Sequence, residues 1–270
     1  EKRLRFLYSG WCIVITDLRS VRNHKQHGYP VVSALIILYI MCAKSTFRRL
    51  CGYEMQTNKT PAYLGLPEDH CFDYQYLMEV LKRYRSPRDK VSLMLRRGEI
   101  VRVRKGLYVR SREFGGRIEP VEMAGAIYGP SYVSLEYALS DHGLIPEAVH
   151  AVTSMTTRRA RDFQTPLSPF YYRHIHAGAF SVGVSFERRR SVGILIATPE
   201  KAVCDKLACT PGIRTLKEIE SFVVEDQRMD TDEIAGFSHE LLREIQLVYE
   251  LKRIGLFFRW FEKNFYRETQ

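Results

Sequence analysis

Ser86-Pro87-Arg88-Asp89 fixes the start of a helix more firmly than any other stretch of this 270-residue chain. Serine at the cap, proline at the first helical position and an acid three residues past the serine make a Ser-x-x-Asp capping box. Val91, Met94 and Leu95 then supply a buried stripe. Gly98 stops the helix behind Arg96 and Arg97, cations favoured at the negative end of its dipole. Directly afterwards two β-prone runs, Glu99–Val103 and Leu107–Arg110, flank Arg104-Lys105-Gly106, whose glycine permits a turn. Ile100 and Val103, with Leu107 and Val109, can face inward if one residue bulges, which leaves Arg102, Arg104 and Lys105 at or near the hairpin tip. Upstream, Phe72–Tyr84 reads as a helix, because Tyr74, Leu77, Met78 and Leu81 recur at i, i+3, i+4 and i+7.

A capped helix followed at once by a basic hairpin is the local pattern of a winged helix-turn-helix. A helix fits the major groove and its polar face reaches base edges, while a basic hairpin beside it holds phosphates and sets the register. By helical-wheel angle Lys90 and Arg97 lie on one flank of the second helix, Ser92 and Arg96 on the other, and Arg88 stands at its first turn. The candidate DNA-binding residues are therefore Arg88, Lys90, Ser92, Arg96, Arg97, Arg102, Arg104 and Lys105. A full winged helix has three helices, and only Arg85 and Ser86 separate Tyr84 from Pro87. Either Pro61–Asp69 supplies a first turn or this version is shortened.

The charge distribution agrees. The formal net charge of +10 divides into +6 for residues 1–54, +6 for 55–120 and −2 for 121–270. A basic front attracts polyanions; a solvated surface that only maintains solubility is the plainer alternative. Residues 1–54 stand apart. Val31–Ala43 is a thirteen-residue run, apolar except for Ser33, too short for the roughly 18–20 residues that span a bilayer. Thirty residues precede it, long for a signal n-region. The expectation is an over-extended reading frame with the start near Met55; a disordered basic extension and a membrane anchor are the alternatives. The six cysteines show no C-x-x-C spacing and read as reduced thiols of a cytoplasmic protein.

From Glu119 onward the pattern changes. Helices are expected over Glu119–Tyr128 and Leu135–His142, the latter capped by Ser134 with Glu136 in its first turn. Strands follow at Val149–Met155, Phe170–His176, Ser181–Glu187 and Val192–Ala197. Thr198-Pro199-Glu200 opens a helix to about Leu207, and helices return near Thr215–Val224, Ser238–Ile254 and Leu256–Phe265. The fold class is α+β: an unassigned extension (1–54), a winged-helix-like domain (55–118), and an α/β body with a mostly antiparallel or mixed sheet and C-terminal helices (119–270).

Chemistry is sparse. Ser134, Asp141 and His142 suggest a triad, but no G-x-S-x-G elbow surrounds the serine, and capping accounts for it. His174 and His176 share a strand face, with nothing nearby at metal-ligand spacing. Cys204 reads as a packed core thiol. Glu200, Lys201, Asp205 and Lys206 carry the acid-and-lysine composition of metal-dependent nucleases, without the acid-x-lysine strand pattern. A structural cap and surface salt bridges are preferred. No phosphate-binding glycine loop is present, so no cofactor, metal or catalytic residue is expected.

Four stretches together resemble the AbiEi-type antitoxins of type IV toxin–antitoxin systems. They are Leu95–Val109 (LRRGEIVRVRKGLYV), Tyr128–Leu139 with His142-Gly-Leu-Ile145, Val152–Thr156 (VTSMT) and Ala197–Leu207 (ATPEKAVCDKL). The resemblance covers about residues 70–225, and its second and fourth stretches are the specific ones. It implies an N-terminal winged helix that represses its own operon and a C-terminal domain that neutralises a nucleotidyltransferase-like toxin without a stable complex. Operator contacts would fall on the second helix and hairpin. Tyr132, Ser134, Glu136, Thr198, Glu200, Lys201 and Asp205 occupy motif positions whose part in antitoxicity the resemblance does not define. It transfers no catalytic residue.

The expected function is a DNA-binding antitoxin and transcriptional autorepressor, with double-stranded promoter DNA and the toxin as partners and no membrane. A two-fold operator would call for a homodimer on DNA, though no heptad seam announces one. The rival readings are a metal-dependent nuclease built on residues 181–207 and an interaction module whose basic face binds an acidic protein.

Overall fold

The computed structural model describes residues 65–266. The expectation for residues 1–54 lies outside the described residues, as does the first part of Pro61–Asp69; within 65–69 the chain forms turns and bends and no helix. The described residues belong to one compact unit.

The first layer is small. Strand β1 (Phe72–Asp73) leads into helix α1 (Tyr74–Val80), and helix α2 (Pro87–Arg96) is followed by strands β2 (Ile100–Arg104) and β3 (Leu107–Arg110). The three strands form an antiparallel sheet in the order β1-β3-β2. The expected helix over Phe72–Tyr84 is thus shorter. Phe72 and Asp73 pair with Tyr108 and Leu107 instead, and the Asp73 carboxylate caps α1 by accepting from the Tyr76 N–H at 2.7 Å. Proline occupies the first turn of α2 as expected, but the Ser86 hydroxyl donates to the Asp89 carboxylate rather than accepting from the backbone.

The bulge required by the hairpin pattern falls between Arg102 and Arg104, placing Val103 as the extra residue. The hairpin is buried on both faces, whereas the sequence pattern had sent Ile100 and Val103 to one interior. Ile100 and Tyr108 join Leu77, Leu81, Val91 and Met94 beneath the helices. Val103 and Val109, with Val101 and Leu107 beside them, pack into the core of the body. Alternation with period two makes this division automatic once both faces have a neighbour.

The body carries a mixed six-stranded sheet in the order β6-β7-β5-β4-β9-β8. Its strands are β4 (Ser131–Val133), β5 (Val152–Thr156), β6 (Arg161–Gln164), β7 (Pro169–His174), β8 (Val184–Arg189) and β9 (Val192–Ala197). The β5–β7 and β4–β9 pairs are parallel and the others antiparallel. Helix α3 (Ala124–Ile127) precedes β4, and α4 (Leu135–Asp141) follows it. Helix α5 (Pro199–Cys209) leaves β9 directly. The C-terminal part adds α6 (Leu216–Glu220), α7 (Thr231–Ala235), α8 (His239–Tyr249) and α9 (Lys252–Asn264).

Helix α8 ends earlier than its apolar pattern suggests, because Glu250 takes a left-handed conformation, φ 52°, and Leu251 restarts the chain as the cap of α9. The restart sends Ile254, Phe257, Phe258 and Phe261 into the core. None of the helices is long and apolar enough to cross a membrane among the described residues.

Candidate functional site

Two groups of expected site residues behave differently. On the helix–hairpin layer, the cations divide into engaged and free. Lys90 and Arg97 both approach the buried Glu99 carboxylate, at 4.0 and 3.8 Å, and Lys90 also lies 5.6 Å from the Tyr84 ring centre. The Ser92 hydroxyl donates to the Arg88 carbonyl at 3.1 Å. Arg104 turns toward the body: its guanidinium donates to the Ile127 carbonyl and lies 5.8 Å from the centre of the Phe163 ring.

Arg88, Arg96, Arg102 and Lys105 remain exposed, and no carboxylate among the described residues pairs with them. The sequence reading did not include Arg83 and Arg85, two further exposed cations in the turn between α1 and α2. Their signal is weak, because they precede a helix cap instead of occupying a helix face.

The second group converges. Tyr132 and Ser134 arrive from β4 and the junction behind it, Lys201 and Asp205 from successive turns of α5, and Tyr249 from the end of α8. Asp205 is fully buried. Its carboxylate accepts from the Ser134 hydroxyl at 2.6 Å, from the Tyr132 hydroxyl at 3.0 and 3.2 Å and from the Tyr249 hydroxyl. The Lys201 ammonium stands 3.9 Å from the same carboxylate, donates to the Ala179 carbonyl at 2.6 Å and lies 4.3 Å from the centre of the Tyr249 ring.

Burial pushes the Asp205 carboxyl up to about 6, against the lowering effect of Lys201, Ser134 and Tyr132. Burial likewise holds Lys201 below the ordinary lysine range and raises the Tyr132 phenol, with Asp205 adding to the rise.

This arrangement corrects two expectations. Ser134 stands at the cap position of α4 but makes no side-chain cap bond; its hydroxyl serves Asp205. Lys201 and Asp205 form a buried ion pair, not a surface salt bridge, because α5 is enclosed on this side by β4 and α8. Other expectations hold. Thr198 caps α5 by accepting from the Lys201 N–H at 3.4 Å, and Cys204 is fully buried. Glu200 accepts from the Ser238 N–H at 3.0 Å, and Glu136 pairs with Lys206.

The triad-like set is not assembled. Asp141 pairs with Arg189 and the His142 ring bonds the Ala197 carbonyl at 2.8 Å. Tyr249 was absent from the sequence reading, since one aromatic within an amphipathic helix looks like any core residue. Chemically, the cluster is closed. The Asp205 oxygens are occupied by donors, and Tyr132, Ser134, Lys201 and Asp205 are each 1% exposed or less. Among the described residues no three His, Cys, Asp or Glu side chains converge as a metal site.

An open cleft of about 410 Å³ lies beside this cluster, lined in part by Glu136, Thr153, Tyr171, Arg173, Lys206 and Cys209. Several of its polar groups are already engaged: Lys206 with Glu136 across the cleft, and, with residues outside the lining, Arg173 with Asp162 and the Thr153 hydroxyl with the Ser134 carbonyl.

No protein-family model matches this chain, and no curated protein matches it significantly.

Proposed function

We propose that the protein is a DNA-binding transcriptional regulator of the antitoxin type, in which α1, α2 and the β2–β3 hairpin act as a shortened winged helix. The observation that carries this reading is the set Arg88, Arg96, Arg102 and Lys105. These four cations lie on the helix and hairpin that the DNA-reading pattern requires, exposed and without acidic partners among the described residues. Unneutralised cations on one small module release counterions when they meet phosphates, the main source of duplex affinity. Lys90 and Arg97, held by Glu99, orient the helix, and Arg104 fixes the hairpin.

The antitoxin part of the reading rests on the resemblance of the two body stretches. It is supported by their convergence: Tyr132 and Ser134 from one meet Lys201 and Asp205 from the other in a single buried cluster. A cluster whose two carboxylate oxygens accept from three hydroxyls, with Tyr132, Ser134, Lys201 and Asp205 each closed off from solvent, suits a rigid framework for a surface and gives a substrate no access to Asp205. In this reading the body is non-catalytic and counters a nucleotidyltransferase-like toxin through its surface.

The test is selection from a random duplex pool. The wild-type protein should enrich a defined sequence, and Arg88→Ala/Arg96→Ala should lose the enrichment while retaining its fold. Recovery of no preferred sequence by the wild type would contradict sequence-specific regulation. Plasmid cleavage with magnesium or manganese that Glu200→Ala abolishes would favour the nuclease alternative.

A further inference from the structure

We propose that Arg158, Arg159 and Arg161 form a second phosphate-contacting strip that carries a bound duplex from the hairpin onto the body. The proposal rests on the DNA-binding reading above and extends it to residues outside the helix–hairpin layer.

Residues 157–161 (TRRAR) contain three arginines and no acid. All three side chains are exposed, and no carboxylate among the described residues pairs with them. The nearest acid in sequence, Asp162, is held by Arg173 on the neighbouring strand at 2.7 Å.

The loop that presents them is fixed on several sides. The Thr156 hydroxyl oxygen accepts from the Arg158 N–H at 3.2 Å. The His174 ring bonds the Arg158 carbonyl at 3.0 Å, and the Tyr128 hydroxyl donates to the Arg159 carbonyl at 3.2 Å. Aromatic rings support the guanidinium groups themselves. Arg158 lies 5.6 Å from the centre of the Tyr128 ring and Arg161 5.0 Å from that of Phe163. Rings beneath a cation restrain it without neutralising it, so less ordering remains to be done when a phosphate arrives.

The strip is joined to the hairpin. Arg104 lies 5.8 Å from the same Phe163 ring that carries Arg161, and Phe163 is 5.5 Å from Tyr128, which carries Arg158. Hairpin and strip therefore share one aromatic platform. Each strand of a duplex presents a phosphate about every 3.4 Å of helix axis, so a backbone held at the hairpin tip meets Arg161 and Arg158 within a few steps. Duplex DNA is favoured over a single strand because guanidinium groups already lie over both rings, in the place a stacking base would take.

The test measures fluorescence anisotropy of a labelled mixed-sequence duplex, about three helical turns long, from about 50 to 200 mM salt. The expected result is that Arg158→Ala/Arg159→Ala/Arg161→Ala weakens low-salt binding about tenfold or more and lowers the salt slope by about 1 to 3. The matching triple Lys variant, which keeps the charge, should retain most of both. Wild-type affinity and slope in the triple Ala variant would overturn the strip. If Arg88→Ala/Arg96→Ala still weakened binding, the DNA-binding reading would survive that failure. The reverse pattern, in which only the triple Ala variant loses affinity, would support the strip and remove the α2 interface. Failure of the wild type to bind the duplex at all would overturn both. Tighter binding to single-stranded RNA than to duplex, abolished by the triple Ala variant, would reassign the strip to RNA.

Discussion

The Ser134 hydroxyl donates to the Asp205 carboxylate across 2.6 Å and ties the end of the central strand β4 to the middle of α5. The two residues are 71 positions apart in the chain. Around that bond the Lys201 ammonium and two tyrosine hydroxyls complete a buried cluster, and the consequences for stability are specific. Removing one member of a buried pair leaves the other uncompensated, at about 3–5 kcal/mol. Asp205→Ala should destabilise the protein by that amount in urea unfolding. Lys201→Met/Asp205→Leu should recover a substantial part, since apolar replacement of both partners is often neutral. Ser134→Ala should cost about 1–3 kcal/mol.

The same carboxyl gives a pH dependence of defined sign. Burial lifts Asp205 to about 6 from an ordinary value of 3.8, so the folded state binds this proton more tightly than the unfolded state. Its contribution to stability therefore grows as pH falls below 6 and is lost as pH rises through 6. The stability of the wild type minus that of Asp205→Asn should increase by about 2 kcal/mol between about pH 7 and about pH 4.5. The lowered carboxylates Asp69 and Glu218 act in the opposite direction but cancel in the difference. Unfolding curves of both proteins at the two pH values provide the check, and a constant difference would contradict the assignment.

Arg104 and Lys105 are neighbours on the hairpin with opposite roles. Arg104 bonds the Ile127 carbonyl and covers Phe163. Lys105 is exposed and has no carboxylate partner among the described residues. Arg104→Ala should cost about 1.5–3 kcal/mol and speed hydrogen exchange across β2 and β3. Lys105→Ala should leave exchange unchanged and weaken DNA binding alone. Exchange mass spectrometry with a binding titration separates the two.

Two glycines offer a contrast. A Cβ at Gly183, where φ is +71°, would meet Lys201 Cβ at 2.9 Å and Ile245 Cδ1 at 3.1 Å, both in the core. A Cβ at Gly193 would meet only the outer edge of the Phe186 ring, a side chain 70% exposed and free to turn. Gly183→Ala should therefore be destabilising by about 1–3 kcal/mol, and Gly193→Ala by less than about 0.5 kcal/mol. Thermal unfolding of the two variants decides it.

Much of the scaffold was legible because its signals are local. The proline and acid at the start of α2, the hairpin glycine and the Thr198-Pro199 start of α5 declare themselves within a few residues, as does the need for a bulge somewhere in the hairpin, though not its place at Val103. What was hidden depends on neighbours distant in sequence. β4 has three residues, too few to show a period, yet it is central to the sheet. β6 is polar because it forms an edge, and its Arg161 resembles ordinary loop charge. Ser134 had a sufficient local explanation as a cap, and only the approach of α5 diverts its hydroxyl. Lys201 and Asp205 looked like surface charges until α8 closed over them and brought Tyr249 in. Glu250 breaks α8 with neither glycine nor proline to mark the place. Among the basic residues, sequence could count cations but could not tell that Glu99 and Ile127 occupy Lys90, Arg97 and Arg104.

The most direct test of the α2–hairpin interface is the salt dependence of duplex binding by Arg88→Ala/Arg96→Ala/Arg102→Ala/Lys105→Ala, measured on the duplex that the wild type selects. Each lost phosphate contact should lower the slope of log affinity against log salt by about 0.9, so the variant should fall short of the wild type by roughly 3 to 4. An unchanged slope in a folded variant would show that these cations do not meet DNA and would contradict the account.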